Sequence, residues 1–382
     1  MTDRFALKDG GSVPCITDDR KYCGGSYQGI INKLDYIQGL GFDAVWISPI
    51  VANVEGATVY GEAYHGYWAQ NLYQLNTHFG PEKDLIALSE ALHKRDMYLM
   101  VDVVANHFGP LDPPGSYGSF NPFNEPSYFH PRCLITNYDN QTDVEQCWLG
   151  DDKLALADLN TENVFVVGAL YNWIQSLTKR YGIDGLRIDT VKHIRKDFWP
   201  PFAALSGVYT VGEVYHGDTA YVKDYTCQHF VSSSPFVPDR LVDVIDGVLD
   251  YPTWYQLFPA FKSSTGNLSA LADVIQKAQH TYKTGLFGSA AFSENHDQPR
   301  FPSLTNDIAV SDFRPGVGLC LPVPHTPADQ ECHYIPLRSR WNPYPLLWYV
   351  IDGQLLLDSD HSEFPGQEQG YTGGSDPFNR EA

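Results

Sequence analysis

Basic side chains are scarce in this sequence. Its 382 residues hold 26 Lys and Arg against 46 Asp and Glu, a formal net charge of −20. So acidic a chain repels a phosphate backbone, which excludes nucleic acid as a partner. Long apolar runs are missing as well. None reaches the length that crosses a bilayer, so no membrane partner is expected, and no secretory leader is visible. The seven cysteines, at 15, 23, 133, 147, 227, 320 and 332, include no zinc-finger or Cys-x-x-Cys spacing. That removes a structural zinc site and a dithiol redox centre.

Hydrophobic residues make up 43% of the chain, enough for a sizeable core, and the length suits one large barrel with an inserted subdomain. Aromatics reach 14%, with 24 Tyr and 8 Trp. Ring-rich packing and stacking on sugars both account for that surplus. The excess of carboxylates suits binding of Ca²⁺.

The stretch Tyr-Gly-Ile-Asp-Gly-Leu-Arg-Ile-Asp-Thr-Val-Lys-His at 181–193 reads as a short buried strand, 185–188, ending in polar chemistry. Arg187 and Asp189 are two apart, so on a strand they share a face. Alone, such a pair is commonly a structural ion pair. Two other stretches answer it. Residues 210–214 form a β-branched run carrying Glu213, and the apolar run from 288 ends in Asn295, His296 and Asp297. Each sets a carboxylate at or just past a predicted strand end. In a parallel β/α barrel the C-terminal strand ends meet at one mouth, where active sites are built. Three carboxylates there suit glycosidic cleavage, which needs one as nucleophile and a second as acid and then base.

Patterning predicts strands at 43–48, 97–104, 185–188, 208–214, 244–250 and 286–292, with 346–357 able to supply a seventh. Helices are predicted over 30–40, 83–95, 165–181 and 268–280, and Pro200-Pro201 closes a segment. Residues 108–164 are rich in Pro, Gly, Asn and Tyr with little helical period, and read as an excursion from the barrel. Sequons at Asn140 and Asn267 suit a glycosylated, secreted protein.

Four stretches taken together resemble the fungal secreted α-amylases of glycoside hydrolase family 13: Asp-Val-Val-Ala-Asn-His at 102–107, residues 185–193, Gly-Glu-Val at 212–214 and Glu-Asn-His-Asp at 294–297. The likeness is nearly continuous from 2 to about 308, with an extra stretch near 228–241, and resumes at 366–369 and 376–380. It implies a (β/α)8 TIM-type barrel with an inserted small domain B. The barrel would comprise 1–107 and 165–308, with domain B and its calcium site at 108–164, a segment unlike the family at 309–364 and a barrel remnant at 365–382. The barrel is expected to be incomplete. The family's first strand and C-terminal β-sandwich are absent, and the eighth-strand region is abnormally dense in proline. A marginal or inactive chain is the matching expectation.

The resemblance also implies roles. Asp189 would be the nucleophile, Glu213 the acid and then base, and Asp297 the group holding the distorted sugar, for retaining endo-hydrolysis of α-1,4-glucosidic bonds in starch. The two reacting carboxyls should lie about 5–5.5 Å apart. Arg187 would keep Asp189 ionised; His107 and His296 would bond the sugar, Tyr67 would stack on it and Trp68 would line the pocket. Lys192, His193 and Gly217 would serve the leaving-group side, and Asp376 and Arg380 the far wall. Ca²⁺ would be held by Asn106, Glu145, Asp158 and the carbonyl of His193. Disulfides would join Cys15 to Cys23 and Cys133 to Cys147, leaving Cys227 without its family partner. The family implies a secreted monomer acting on α-glucans. An α-glucosidase or glucan transferase shares these carboxylates, and a non-catalytic relative would have lost them.

Overall fold

The computed structural model describes residues 1–298 apart from 12–14, 232–239, 262–264 and 293–294, together with three short strand segments at 337–338, 345–346 and 348–350. A six-stranded parallel sheet organises it. Its strands are β1 (Ala44–Ile47), β2 (Tyr98–Val103), β3 (Gly185–Ile188), β4 (Tyr209–Gly212), β5 (Gly247–Val248) and β6 (Trp348–Val350), in the order β5-β4-β3-β2-β1-β6. The seventh strand predicted within 346–357 therefore corresponds to β6, which pairs with the free side of β1 from Ala44↔Trp348 to Trp46↔Val350.

Strand alternation decides what enters the interior. Trp46, Met100, Tyr209, Val211, Leu249 and Tyr251 form one buried cluster. The alternate positions Val45, Ile47, Leu99, Val101, Val103, Leu186 and Ile188 belong to the larger core. Helices Glu82–His93 and Val164–Tyr181 add Leu85, Leu88, Leu92, Leu170, Ile174 and Leu177 to that core. The second helix starts at Asn163, whose side chain accepts from Phe165 N, and stops at Gly182, which takes the left-handed conformation at φ 59. No helix among the described residues is long and apolar enough to cross a membrane.

The excursion leaves the barrel directly after β2. Strand His107–Pro110 pairs antiparallel with Leu156–Asp158, helix Gln141–Gln146 lies between them, and the Cys133–Cys147 disulfide closes the connecting loop. Cys15–Cys23 is also formed, and Cys227 is free. The stretch expected as an extra near 228–241 holds an antiparallel pair, Gln228–Val231 with Arg240–Asp243.

Four local expectations are corrected. Residues 286–292 do not form a strand: Gly285–Gly288 is a 3-10 helix, and only Ala290 bridges to Leu249. Gly285, at φ +61, starts a tight turn where a strand would need extended backbone. The predicted strand 244–250 shortens to β5. The helix expected over 30–40 is two, Tyr27–Asn32 and Leu34–Gly39, broken at Lys33, where φ is −110 and ψ is 6. Pro200 and Pro201 open a helix, Trp199–Ser206, instead of closing a segment, because the first helical turn has no use for their missing N–H.

Gly247 is the tightest joint in this arrangement. A Cβ there would lie 1.6 Å from the Gly288 carbonyl oxygen and 2.8 Å from Tyr209 Oη. Gly247→Ala is expected to force β5 away from the 285–290 segment, at a cost of about 1–3 kcal/mol. Thermal unfolding of the variant checks this, and an unchanged midpoint would contradict it.

Candidate active site

The same alternation delivers the polar groups. Asp102 and Arg187 are register partners on β2 and β3, and both point inward. Two residues beyond Arg187 comes Asp189, and two beyond the inward Val211 comes Glu213. Tyr251 follows the inward Leu249 by the same step. Asp297 arrives from the segment after the Ala290 bridge, its N–H donating to Asn295 Oδ1 at 3.0 Å.

Arg187 sits at the centre, with a side chain 1% exposed. Nη1 donates to Asp189 Oδ1 at 2.7 Å and to Asp102 Oδ1 at 3.1 Å. Nη2 lies 3.3 Å from Glu213 Oε2 and 3.9 Å from Asp297 Oδ2. The guanidinium carbon stands 5.4 Å from the Trp46 ring centre and 5.9 Å from that of Tyr67. One cation thus faces four carboxylates inside an aromatic wall.

Burial acts on these groups first. It pushes Asp102 up to about 7, against the pull of Arg187 and the Tyr67 hydroxyl towards the charged form. It also raises Glu213, opposed by Arg187 and reinforced by the negative charge of Asp189. Glu213 is thereby favoured to hold a proton beside the charge of Asp189. Burial lowers His107 to about 4 and His193 to about 3, which keeps both imidazoles neutral at pH 7.

The Tyr67 hydroxyl donates to Asp102 Oδ2 at 2.6 Å and therefore accepts from His296 Nε2 at 2.6 Å. Tyr67 and His296 stack with centroids 5.7 Å apart, and Trp46 Nε1 donates to Asp102 Oδ2 at 3.3 Å. Nε2 of His107 and both ring nitrogens of His193 are buried without a protein partner. Lys192 Nζ donates to the Tyr215 carbonyl at 2.9 Å, Trp68 packs edge-on to His65, and Gly217 lies against the Tyr255 ring.

Asp189, Glu213, Asp297, Arg187, Tyr67 and His296 are therefore one cluster. Lys192, His107 and His193 are close enough to Glu213 to feel its charge. Asp376 and Arg380 lie outside the described residues. Sequence reasoning gave no role to Trp46, Asp102, Tyr251 or Asn295. Asp102 carried a usable signal, since a carboxylate inside an apolar strand needs a buried partner.

A profile of the α-amylase catalytic domain matches residues 1–315. The chain belongs to the α-amylase family. Alpha-amylase 1 of Lipomyces kononenkoae is 44% identical over 390 residues, an alignment covering all of this chain and 53% of that protein. Alpha-amylase 2 of Schwanniomyces occidentalis is 43% identical over all of this chain and 66% of its own length. The chain therefore spans between half and two thirds of those relatives. Among solved structures, an α-amylase from Malbranchea cinnamomea superposes with a TM-score of 0.81 at 44% identity, covering all of this chain and 70% of that one. The α-amylase from Geobacillus thermoleovorans, complexed with acarbose, gives 0.73 at 29% identity, over all of this chain and 72% of that one. The α-amylase catalytic domain is a TIM barrel, and the parallel sheet described here agrees with it.

The residues that the family resemblance offers to calcium fit a hard cation in part. Asn106, Glu145, Asp158 and the His193 carbonyl are oxygen donors. Asp158 is buried beside the Asn106 amide, and its Oδ1 has no partner. Glu145 Oε1 accepts from Gln141 Nε2, which also donates to the Lys192 carbonyl. Among the described residues no group of three or more His, Cys, Asp or Glu is gathered around a metal position.

Arg187→Leu should leave four buried or half-buried carboxylates facing one another. Breaking a buried pair in this way costs about 3–5 kcal/mol. Without the guanidinium the folded-state pKa values of Asp102 and Glu213 rise further above their unfolded values. The penalty is then smallest near pH 3, below the unfolded carboxylate values, and grows as pH rises towards 8. Denaturant unfolding of parent and variant at both pH values measures it, and a pH-independent difference would contradict it.

Proposed function

We propose that this α-amylase-family chain hydrolyses internal α-1,4-glucosidic bonds of starch and related α-glucans with retention of configuration. The observation that carries the reading is Arg187 gathering Asp189 and Glu213, just past the ends of β3 and β4, with Asp297 from the segment after the Ala290 bridge. Arg187 holds Asp189 Oδ1 on Nη1 and Glu213 Oε2 near Nη2, so the two carboxyls flank one guanidinium, an arrangement that suits a nucleophile and its acid partner.

In the first step the Glu213 proton passes to the glycosidic oxygen, that C–O bond breaks, and the Asp189 carboxylate bonds to the anomeric carbon. Arg187 Nη1 donates to Asp189 Oδ1 and holds the carboxylate for the attack. In the second step Glu213 takes a proton from water, the water oxygen bonds to the anomeric carbon, and Asp189 leaves as a carboxylate. Asp297 is more exposed than the other two, and in this reading it holds sugar hydroxyls. His107, with a free buried Nε2, and His296 bond the same sugar, and Tyr67 stacks on it. Trp68 lines the pocket, while Lys192, His193 and Gly217 serve the leaving-group side.

Ca²⁺ is the proposed resident ion, held by Asn106, Glu145, Asp158 and the His193 carbonyl. Bound there, it neutralises carboxylates and ties the excursion to the barrel. Secretion, N-glycosylation and a monomeric state belong to the same reading, supported by the two disulfides and the sequons.

Two experiments check this. Starch is expected to be cut to mixed oligosaccharides by the parent chain, with activity reduced by at least about a hundredfold in Glu213→Gln. Equal activity in both would remove Glu213 from its role, and a single product released from chain ends would favour a glucosidase. Added Ca²⁺ should raise the unfolding temperature, by about 2.7 kcal/mol of stability at a hundred times its dissociation constant. Asp158→Asn should abolish that gain; an equal gain in both proteins would place the ion elsewhere.

A further inference from the structure

Tyr251 is fully buried at the start of the helix Tyr251–Phe261 that follows β5, beside the Glu213 carboxyl. Its ring is wedged edge-on between Tyr215 and Phe292, with centroids 4.8 and 5.0 Å away. Its hydroxyl stands 3.4 Å from Glu213 Oε1. Behind it, Asn295 Nδ2 donates to the same hydroxyl at 3.0 Å. The amide orientation follows from its other end, since Asn295 Oδ1 accepts from the backbone N–H groups of Asp297 and Gln298, both at 3.0 Å. A tyrosine hydroxyl has one proton. With its oxygen taken by the Asn295 amide, that proton points to Glu213 Oε1.

The other oxygen of Glu213 is occupied differently. Oε2 accepts from Thr190 N at 3.0 Å and faces Arg187 Nη2 at 3.3 Å. Thr190 reaches that position from the left-handed region, at φ 49 and ψ 41, which a β-branched residue rarely adopts. A backbone donor and the adjacent guanidinium charge both disfavour a proton on Oε2, so the transferable proton belongs on Oε1.

Resting on the hydrolytic reading above, we infer that Tyr251, anchored by Asn295, is the positioning residue that assigns acid and base work to Oε1 of Glu213. When Oε1 gives its proton to the glycosidic oxygen, the Tyr251 O–H is already aimed at the charge that develops. It keeps that hydrogen bond to the carboxylate until Oε1 takes a proton from the attacking water. Tyr251 touches no reacting atom of the substrate. It supports the ionised form of Glu213 against burial, alongside Arg187.

The test compares Tyr251→Phe and Asn295→Asp with the parent chain on a maltooligosaccharide. The first keeps the ring and removes the hydroxyl. The second keeps the oxygen that accepts from Asp297 and replaces the amide donor by an acceptor, which draws the Tyr251 proton away from Glu213. Both are expected to lower kcat about tenfold with little change in KM. Both should also move the alkaline limb of the kcat/KM profile to higher pH, because Glu213 then ionises less readily. The charged or titratable groups that act on Glu213 in the parent (Arg187, Asp189, Lys192, His107 and His193) are kept in both variants; Asn295→Asp adds one carboxylate, so Tyr251→Phe, which adds no charge, decides where the two limbs differ. A thermal unfolding curve identifies a variant that has merely failed to fold, in which case the other variant decides. An unmoved limb with unchanged kcat in a folded variant overturns the inference while leaving the hydrolytic reading intact. Absence of hydrolysis by the parent chain overturns both.

Discussion

The site depends on one buried cation. Arg187 is inside the barrel only because its position on β3 has inward parity, and it stays charged because burial is outweighed by the carboxylates around it, Asp102 first. A guanidinium that cannot lose its proton, with donors on two nitrogens, satisfies Asp189 and Asp102 from one side and Glu213 and Asp297 from the other. Without it the four acids would repel one another in a poorly solvated space. With it, each acid faces a positive charge. Glu213 retains a proton that it can donate, and Asp189 has a direct partner for its negative charge.

The scaffold supports that cation by a simple rule. Each contributing strand puts alternate residues inward, and the inward series ends in a polar residue at or beyond the end of the strand. Met100 is followed by Asp102, Arg187 by Asp189, Val211 by Glu213 and Leu249 by Tyr251. Apolar members fill the barrel floor, and the last member of each series is polar and stands at the mouth. The excursion starts at the same rim, where His107 pairs with Asp158 across its first ladder, so the cleft wall and the catalytic floor share a boundary.

Much of this was legible in the sequence. The motif at 185–193 and the run ending in Glu213 located two strand ends and their carboxylates, because a period-2 pattern reports facing directly. The helices at 82–93, 164–181 and 268–281 were visible from their apolar period. Less legible were elements governed by distant packing. The apolar run at 286–292 looked like a strand, yet the turn at Gly285 and the close passage of Gly288 past Gly247 reduce it to one bridge. Pro200-Pro201 looked like a stop because local sequence does not say on which side the helix lies. Tyr251 and Asn295 carried no role, since a Tyr ending an apolar run resembles ordinary core. Only the three-dimensional pairing of its hydroxyl with Glu213 distinguishes it.

The central claim is double displacement, with Asp189 as nucleophile and Glu213 as acid and base. Proton NMR of the anomeric hydrogens during the first minutes of maltooligosaccharide cleavage tests it most directly. The account predicts that the newly formed reducing end appears first as the α anomer and only later mutarotates. A β anomer appearing first would contradict it, because water would then have attacked directly and Asp189 would not be the nucleophile.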